Sequence, residues 1–200
     1  MISRRLVLAA AAALAAASPA AAAPVVGQAA PAFTARDADG RVRSLSEFKD
    51  KTVVLEWVNE GCPYVQKHYG SGNMQATQKQ AAADGAVWLT VASSAPGKQG
   101  HVDAAGAKRW TAAQKAAPTA FLLDADGKVG KAYDAKTTPH MYVVHKGKLA
   151  YMGGIDDRPT AAQADVKGAK NYVLAALSDI KAGRAVATPV SKPYGCSVKY

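Results

Sequence analysis

Three short runs of apolar, largely β-branched residues stand out along this chain, at residues 52–59, 86–91 and 141–144. Each reads as a strand buried on both faces. The first is interrupted by one carboxylate, Glu56. Residues 33–45 read as a hairpin turning through Asp37, Asp39 and Gly40, and Ser44 with Glu47 has capping-box spacing, which predicts a short helix behind it. Pro63 suits the first position of a helix because its φ is preset. That helix is expected to reach about His68, break at residues 70–73 and resume over 74–83. Residues 93–106 read as loop and 108–117 as helix. Residues 119–123 and 128–133 flank a turn at 124–127. Residues 141–144 and 149–152 flank a second hairpin turn at 145–148. Residues 165–182 carry Val166, Tyr172, Val173, Ala176, Leu177 and Ile180 on one helical stripe, and residues 183–200 read as coil. Strands alternating with helices, then a hairpin and a closing helix, predict a three-layer α/β domain.

The first 23 residues fall outside that pattern. A basic start at Arg4 and Arg5, an alanine-rich apolar stretch and small residues around 20–23 have the order of a secretory signal peptide. Ser3-Arg4-Arg5-Leu6 also fits a twin-arginine signal, and both routes stay open. The expected organisation is a leader at 1–23, one domain at 24–183 and a tail at 184–200. The product is expected to be exported, and periplasmic in a Gram-negative cell. Beyond the leader no stretch reads as a membrane segment. The net charge is +10, and losing Arg4 and Arg5 would leave +8. These charges are scattered, with no basic helix or basic-aromatic stripe, so nucleic acid is not an expected partner.

Cys62 follows the first run in the order Asn59-Glu60-Gly61-Cys62-Pro63. It therefore stands at the N-terminus of the helix that Pro63 begins. Unpaired N–H groups and the helix dipole favour an anion there, so a thiol at that place ionises more readily and is a better nucleophile. Cys196 is the one other cysteine. In an oxidising compartment both are eligible for disulfide chemistry. His68 lies six residues from Cys62, about 240° round a helix, so the two do not share a face. His101 and His145 read as surface loop residues. The two Asp-Ala-Asp-Gly turns lack the further ligands of a calcium loop, and Asp156 and Asp157 read as a turn before the last helix.

Two segments together, strand–Gly61-Cys62-Pro63–helix and Thr137-Thr138-Pro139-His140 leading into a strand, resemble the thioredoxin-like superfamily, and more closely its redoxin (AhpC/TSA-related, peroxiredoxin-like) branch. The resemblance covers residues 33–153 and the closing helix. It implies a thioredoxin-like α/β/α sandwich with a mixed central sheet and Cys62 as the nucleophile. Glu56, six residues earlier, matches a buried acid that assists proton transfer, and burial would raise its pKa. Pro139 matches the family's cis-proline, and the Thr138 backbone would pair with an extended substrate segment. Pro63, Trp57 and His140 are the remaining candidates for the cleft. Val65 stands where a Cys-x-x-Cys motif has its second thiol, so Cys62 has no local partner. Leu55 and Asn59 replace the Pro and Thr or Ser of peroxiredoxins proper. The Gly195-Cys196 tail resembles tails in the same branch, which implies a resolving role for Cys196. A permanent staple is the alternative. Residues 184–200 could span on the order of 50 Å when extended, so distance forbids neither.

The expected function is an exported thiol–disulfide oxidoreductase acting on a protein disulfide or a small thiol, with no cofactor. A thiol peroxidase using the same cysteines and a non-enzymatic binding or metal-carrier module with a structural disulfide are the alternatives. Metal binding is disfavoured because one of the two local cysteines of a copper site is missing.

Overall fold

The computed structural model describes residues 23–200, so nearly all of the expected leader falls outside the described residues. The first hairpin forms as β1 (Thr34–Asp37) and β2 (Val42–Ser44). A 3-10 turn, Leu45–Phe48, follows, and the Ser44 N–H donates to Glu47 Oε1 at 2.5 Å. The first apolar run is β3 (Thr52–Trp57), which leads to α1 (Pro63–Gly70) and α2 (Asn73–Ala83), with Gly72 at φ +77° dividing the two helices. Then come β4 (Val87–Ala92), α3 (Ala104–Ala113), β5 (Ala120–Leu123) and α4 (Lys128–Ala132). Helix α3 begins four residues before its expected start because the Asp103 carboxylate caps the Gly106 N–H at 2.7 Å. Asp124 does similar work for α4, accepting from the N–H groups of Val129 and Gly130.

The chain continues through β6 (Thr137–Thr138), β7 (His140–His145) and β8 (Lys148–Gly153), a 3-10 turn at Gln163–Val166, α5 (Tyr172–Lys181) and β9 (Cys196–Ser197). The closing helix is shorter than its apolar stripe predicts. Gly168 at φ +78° breaks the run, and Asn171 caps the Leu174 N–H at 3.0 Å, so Val166 is not part of it. His145 is a strand end whose ring Nδ1 meets Thr52 Oγ1 at 2.9 Å, not a surface loop residue.

Seven strands form one mixed sheet in the order β2-β1-β5-β4-β3-β7-β8, with β3, β4 and β5 parallel to one another. Alternate side chains leave opposite faces. Val54, Trp88, Met141 and Tyr151 pack under Val65, Met74, Val173 and Leu177 of α1, α2 and α5. Val53, Leu55, Leu89 and Leu122 pack on the other face against Val129 and Tyr133 at α4. Each fully buried aliphatic chain contributes roughly 2 kcal/mol. The result is the expected three-layer α/β fold. Antiparallel pairing of β3 and β7 sets Trp57 opposite His140. The end of β3 and the start of β7 therefore share one edge of the sheet, which brings the Cys62 loop to Thr138 and Pro139.

Candidate active site

Cys62 is the N-cap of α1, with Pro63 in the first turn. The preceding loop is fixed by Asn59, whose side-chain oxygen accepts from Gly61 N at 3.0 Å and whose carbonyl accepts from Cys62 N at 3.0 Å. The thiol has no exposed surface and donates to the Thr138 carbonyl at 2.9 Å. The Thr138–Pro139 peptide bond is cis.

The tail closes the site. Strand β9 pairs antiparallel with β6, placing Cys196 opposite Thr138 and Ser197 opposite Thr137. The two thiols influence each other's ionisation, and both are free. The tail is thus seated without a disulfide. Gly195 is required there: its φ is +138° and a Cβ would collide with the Thr138 carbonyl. Upstream, Ser191 N donates to Met152 O at 3.1 Å; downstream, Val198 N donates to Lys136 O at 3.0 Å and Tyr200 Oη to Ala135 O at 2.7 Å.

The two thiols are electrostatically unlike. Burial pushes Cys62 up, but the neighbouring side chains of Cys196 and Thr138, helped by the backbone N–H groups of Val65 and Cys196, hold it below the ordinary thiol value. Cys196 is pushed up to about 11 by burial, its hydrogen bond to Cys62 and the charge of the Cys62 thiolate. Of the two thiols, Cys62 is therefore the one that ionises more readily and Cys196 the one that keeps its proton longer.

Glu56 is fully buried beneath α1, as expected. Its oxygens accept from Tyr69 Oη (2.8 and 3.0 Å), Trp88 Nε1 (2.8 Å), Thr90 Oγ1 (3.2 Å) and Gln78 Nε2 (3.3 Å), and none of these donors is Cys62. Burial lifts its pKa from 4.5 to about 7 against the pull of those donors. The unfolded chain therefore loses this proton first as pH rises, and Glu56 subtracts stability between those two values. The full effect is on the order of 3 kcal/mol at 1.36 kcal/mol per unit. Glu56→Gln is expected to gain stability relative to the parent as pH rises through that window, measured by denaturant unfolding at pH 4.5 and pH 8. A difference that does not change with pH would mean that Glu56 ionises normally in the folded protein.

Two expected cleft residues are turned away. Trp57 follows Glu56 and so faces the opposite layer. It is fully buried, donates to Ser93 Oγ at 2.9 Å and packs on Tyr133 and Tyr142 with ring centroids 5.6 and 5.2 Å away. It has no surface to offer a substrate. His140 shares that face; its Nδ1 meets Lys136 N at 3.2 Å and Tyr142 Oη at 3.1 Å, and burial depresses it to about 4. It does not join Cys62.

A group the motifs did not reveal lies beside the cysteines. Lys67 and Asp156 are both buried, with Nζ–Oδ2 at 3.3 Å. The tail residue Tyr194 places its hydroxyl on Asp156 Oδ1 and 3.0 Å from His68 Nε2. Its ring packs edge-on to Tyr64 (5.8 Å) and under the Lys67 ammonium (5.4 Å). The one signal in the sequence was Tyr64, Lys67 and His68 on adjacent turns of one helix, which shares a face.

Residues 26–152 match the AhpC/TSA family. The chain belongs to that family. It is a thioredoxin-like redoxin, an oxidoreductase acting on thiols. Among solved structures it is similar to an uncharacterized conserved protein from Geobacillus kaustophilus, at 26% identity and TM-score 0.72, over 88% of this chain and 92% of that one. A hypothetical protein from Sinorhizobium meliloti shares the fold at 24% identity and TM-score 0.73, over 90% and 96% of the two chains. A peroxidoxin from Mycobacterium tuberculosis shares it at 18% identity and TM-score 0.58, over 78% and 98%. No curated protein matches the sequence.

Proposed function

We propose that this redoxin is an exported thiol–disulfide oxidoreductase in which Cys62 attacks and Cys196 resolves. The observation that carries the reading is the seating of Cys196 against Cys62 by backbone pairing, with both thiols free. The Cys62 thiolate attacks one sulfur of a substrate disulfide, and the other sulfur leaves as a thiolate that takes up a proton. Cys62 is then in a mixed disulfide and carries no charge. Two of the three influences that raise Cys196 disappear with that charge, so its proton is released more easily at the step that needs it. The Cys196 thiolate attacks the Cys62 sulfur, the second substrate thiol departs, and a Cys62–Cys196 bridge remains for an external dithiol to reopen. Thr138 and Pro139 border the reacting sulfur, and Pro63 sets the helix start behind it. Glu56 is assigned no proton-transfer step, because its donors are all accounted for elsewhere.

Export rests on the basic, apolar and small-residue order of residues 1–23, followed by the domain at 24–183 and the tail at 184–200. No helix among the described residues is long and apolar enough to cross a membrane. Cys196→Ser is expected to accumulate Cys62 mixed disulfides with substrate, which mass spectrometry of acid-quenched protein detects. Normal multiple turnover without adducts in that variant would overturn the resolving role.

The complete burial of Cys62 favours a second reading, a small oxidant such as a peroxide. The thiolate would attack one oxygen to give a sulfenic acid, releasing the other oxygen as water after protonation. Cys196 would then condense with the sulfenic acid and release a second water. Loss of the Cys62 thiolate faster with peroxide than with a disulfide decides for this reading.

A further inference from the structure

The proposed mechanism contains a conflict of space. Cys62 has no exposed surface while Cys196 occupies the Thr138 edge, so an incoming disulfide and the seated tail compete for the same place. Strand β9 is only two residues long, a weak hold by itself. Two residues ahead of Cys196, the Tyr194 side chain ties the tail to the body of the domain. Its hydroxyl reaches Asp156, His68 and, at 3.5 Å, Lys67 Nζ, and its ring lies between Tyr64 and Lys67. Three of these partners, Tyr64, Lys67 and His68, lie on α1, the helix that Cys62 caps.

We propose that Tyr194 is a positioning latch: opening it admits the substrate disulfide to Cys62, and reclosing it delivers Cys196 to the mixed disulfide. The inference rests on the resolving role proposed for Cys196. It predicts opposite effects on the two half-reactions. Loosening the latch increases the fraction of molecules in which Cys62 is reachable and decreases the fraction in which Cys196 is poised. A side chain that merely supports the fold would not move the two rates in opposite directions.

The test uses the full-length reduced protein with oxidised glutathione as probe, followed by rapid acid quench and mass spectrometry. In the first step Cys62 thiolate displaces one glutathione thiolate and becomes glutathionylated. In the second, Cys196 loses its proton and displaces the other, leaving the bridge. Tyr194→Phe removes only the hydroxyl, whose bonds reach a buried carboxylate, and should speed the first step and slow the second by about tenfold each. Tyr194→Ala also removes the ring contacts and should enlarge both changes to about a hundredfold. Unchanged rates in both variants, with normal bridge formation in the parent, would overturn the latch and leave the resolving role intact. A parent protein that is glutathionylated at Cys62 and never forms the bridge would overturn the resolving role, and the latch with it.

Discussion

Replacing Cys62 with serine is expected to abolish thiol–disulfide exchange, with turnover falling on the order of 10⁴-fold or more, the scale on which enzymes lose activity with their nucleophile. The fold should survive the change. Serine is a good N-cap, it keeps a donor for the Thr138 carbonyl, and it fills nearly the same volume. The expected result is therefore an inactive protein whose unfolding midpoint stays near that of the parent. Cys196 supplies an internal readout. The Cys62 anion helps to push the Cys196 thiol up to about 11. With serine at position 62 that influence is gone, and Cys196 should react with an alkylating agent at a lower pH than in the parent. Residual exchange activity carried by Cys196 alone would show that the tail thiol, rather than Cys62, is the entry point for the substrate.

The parts of the site visible in the sequence were those written locally. Strand, Gly61-Cys62-Pro63 and helix are consecutive, and the helix start depends on the proline and the cap alone. The Thr138-Pro139 step could be found for the same reason. Glu56 stood out because a carboxylate in an apolar strand must find donors, and it found Tyr69, Trp88, Thr90 and Gln78. What failed was the assignment of faces. Glu56 and Trp57 are neighbours in sequence and point to opposite layers, as do His140 and Met141. Strand parity decides this: Trp57 follows Val53 and Leu55 to the far side of the sheet, and pairing with β7 sets His140 beside it.

The seating of the tail was not legible for a different reason. Its partners are far apart in sequence: Tyr194 binds Asp156, His68 and Lys67, each of which has the composition of a surface position when read alone. In the sequence Asp156 reads as part of a turn, and His68 lies about 240° round the helix from Cys62 and so does not share its face. That rotation argument holds, yet His68 meets the tail on another side of α1. Gly195 carries the imprint of the contact, since only a residue without a side chain can lie so close to the Thr138 carbonyl. A glycine before a cysteine in a sequence gives no indication of which backbone it approaches.

The buried ion pair behind the tail leads to the second large effect. Lys67→Met keeps most of the side-chain volume but leaves the Asp156 carboxylate buried without its cation, a change expected to cost about 3–5 kcal/mol at neutral pH. His68 makes that cost depend on pH. Its Nε2 lies 3.9 Å from Asp156 Oδ2. Burial depresses its pKa to about 4, Asp156 pulls it back up and Lys67 adds repulsion that lowers it. Removing Lys67 removes the repulsion, so the folded-state pKa of His68 should rise in the variant. As pH falls through that higher value the folded variant takes up a proton that the folded parent does not. The imidazolium then replaces the missing ammonium beside Asp156. The variant's stability deficit should therefore shrink toward acid pH, over a window closing near the parent value of about 4. Denaturant unfolding of parent and variant at pH 7.5 and pH 5 measures the change. A deficit equally large at both values would show that His68 does not exchange a proton with this pair, and would leave the Tyr194 hydroxyl and the Arg158 N–H, which donates to Asp156 Oδ1 at 3.0 Å, as the groups that hold the Asp156 charge.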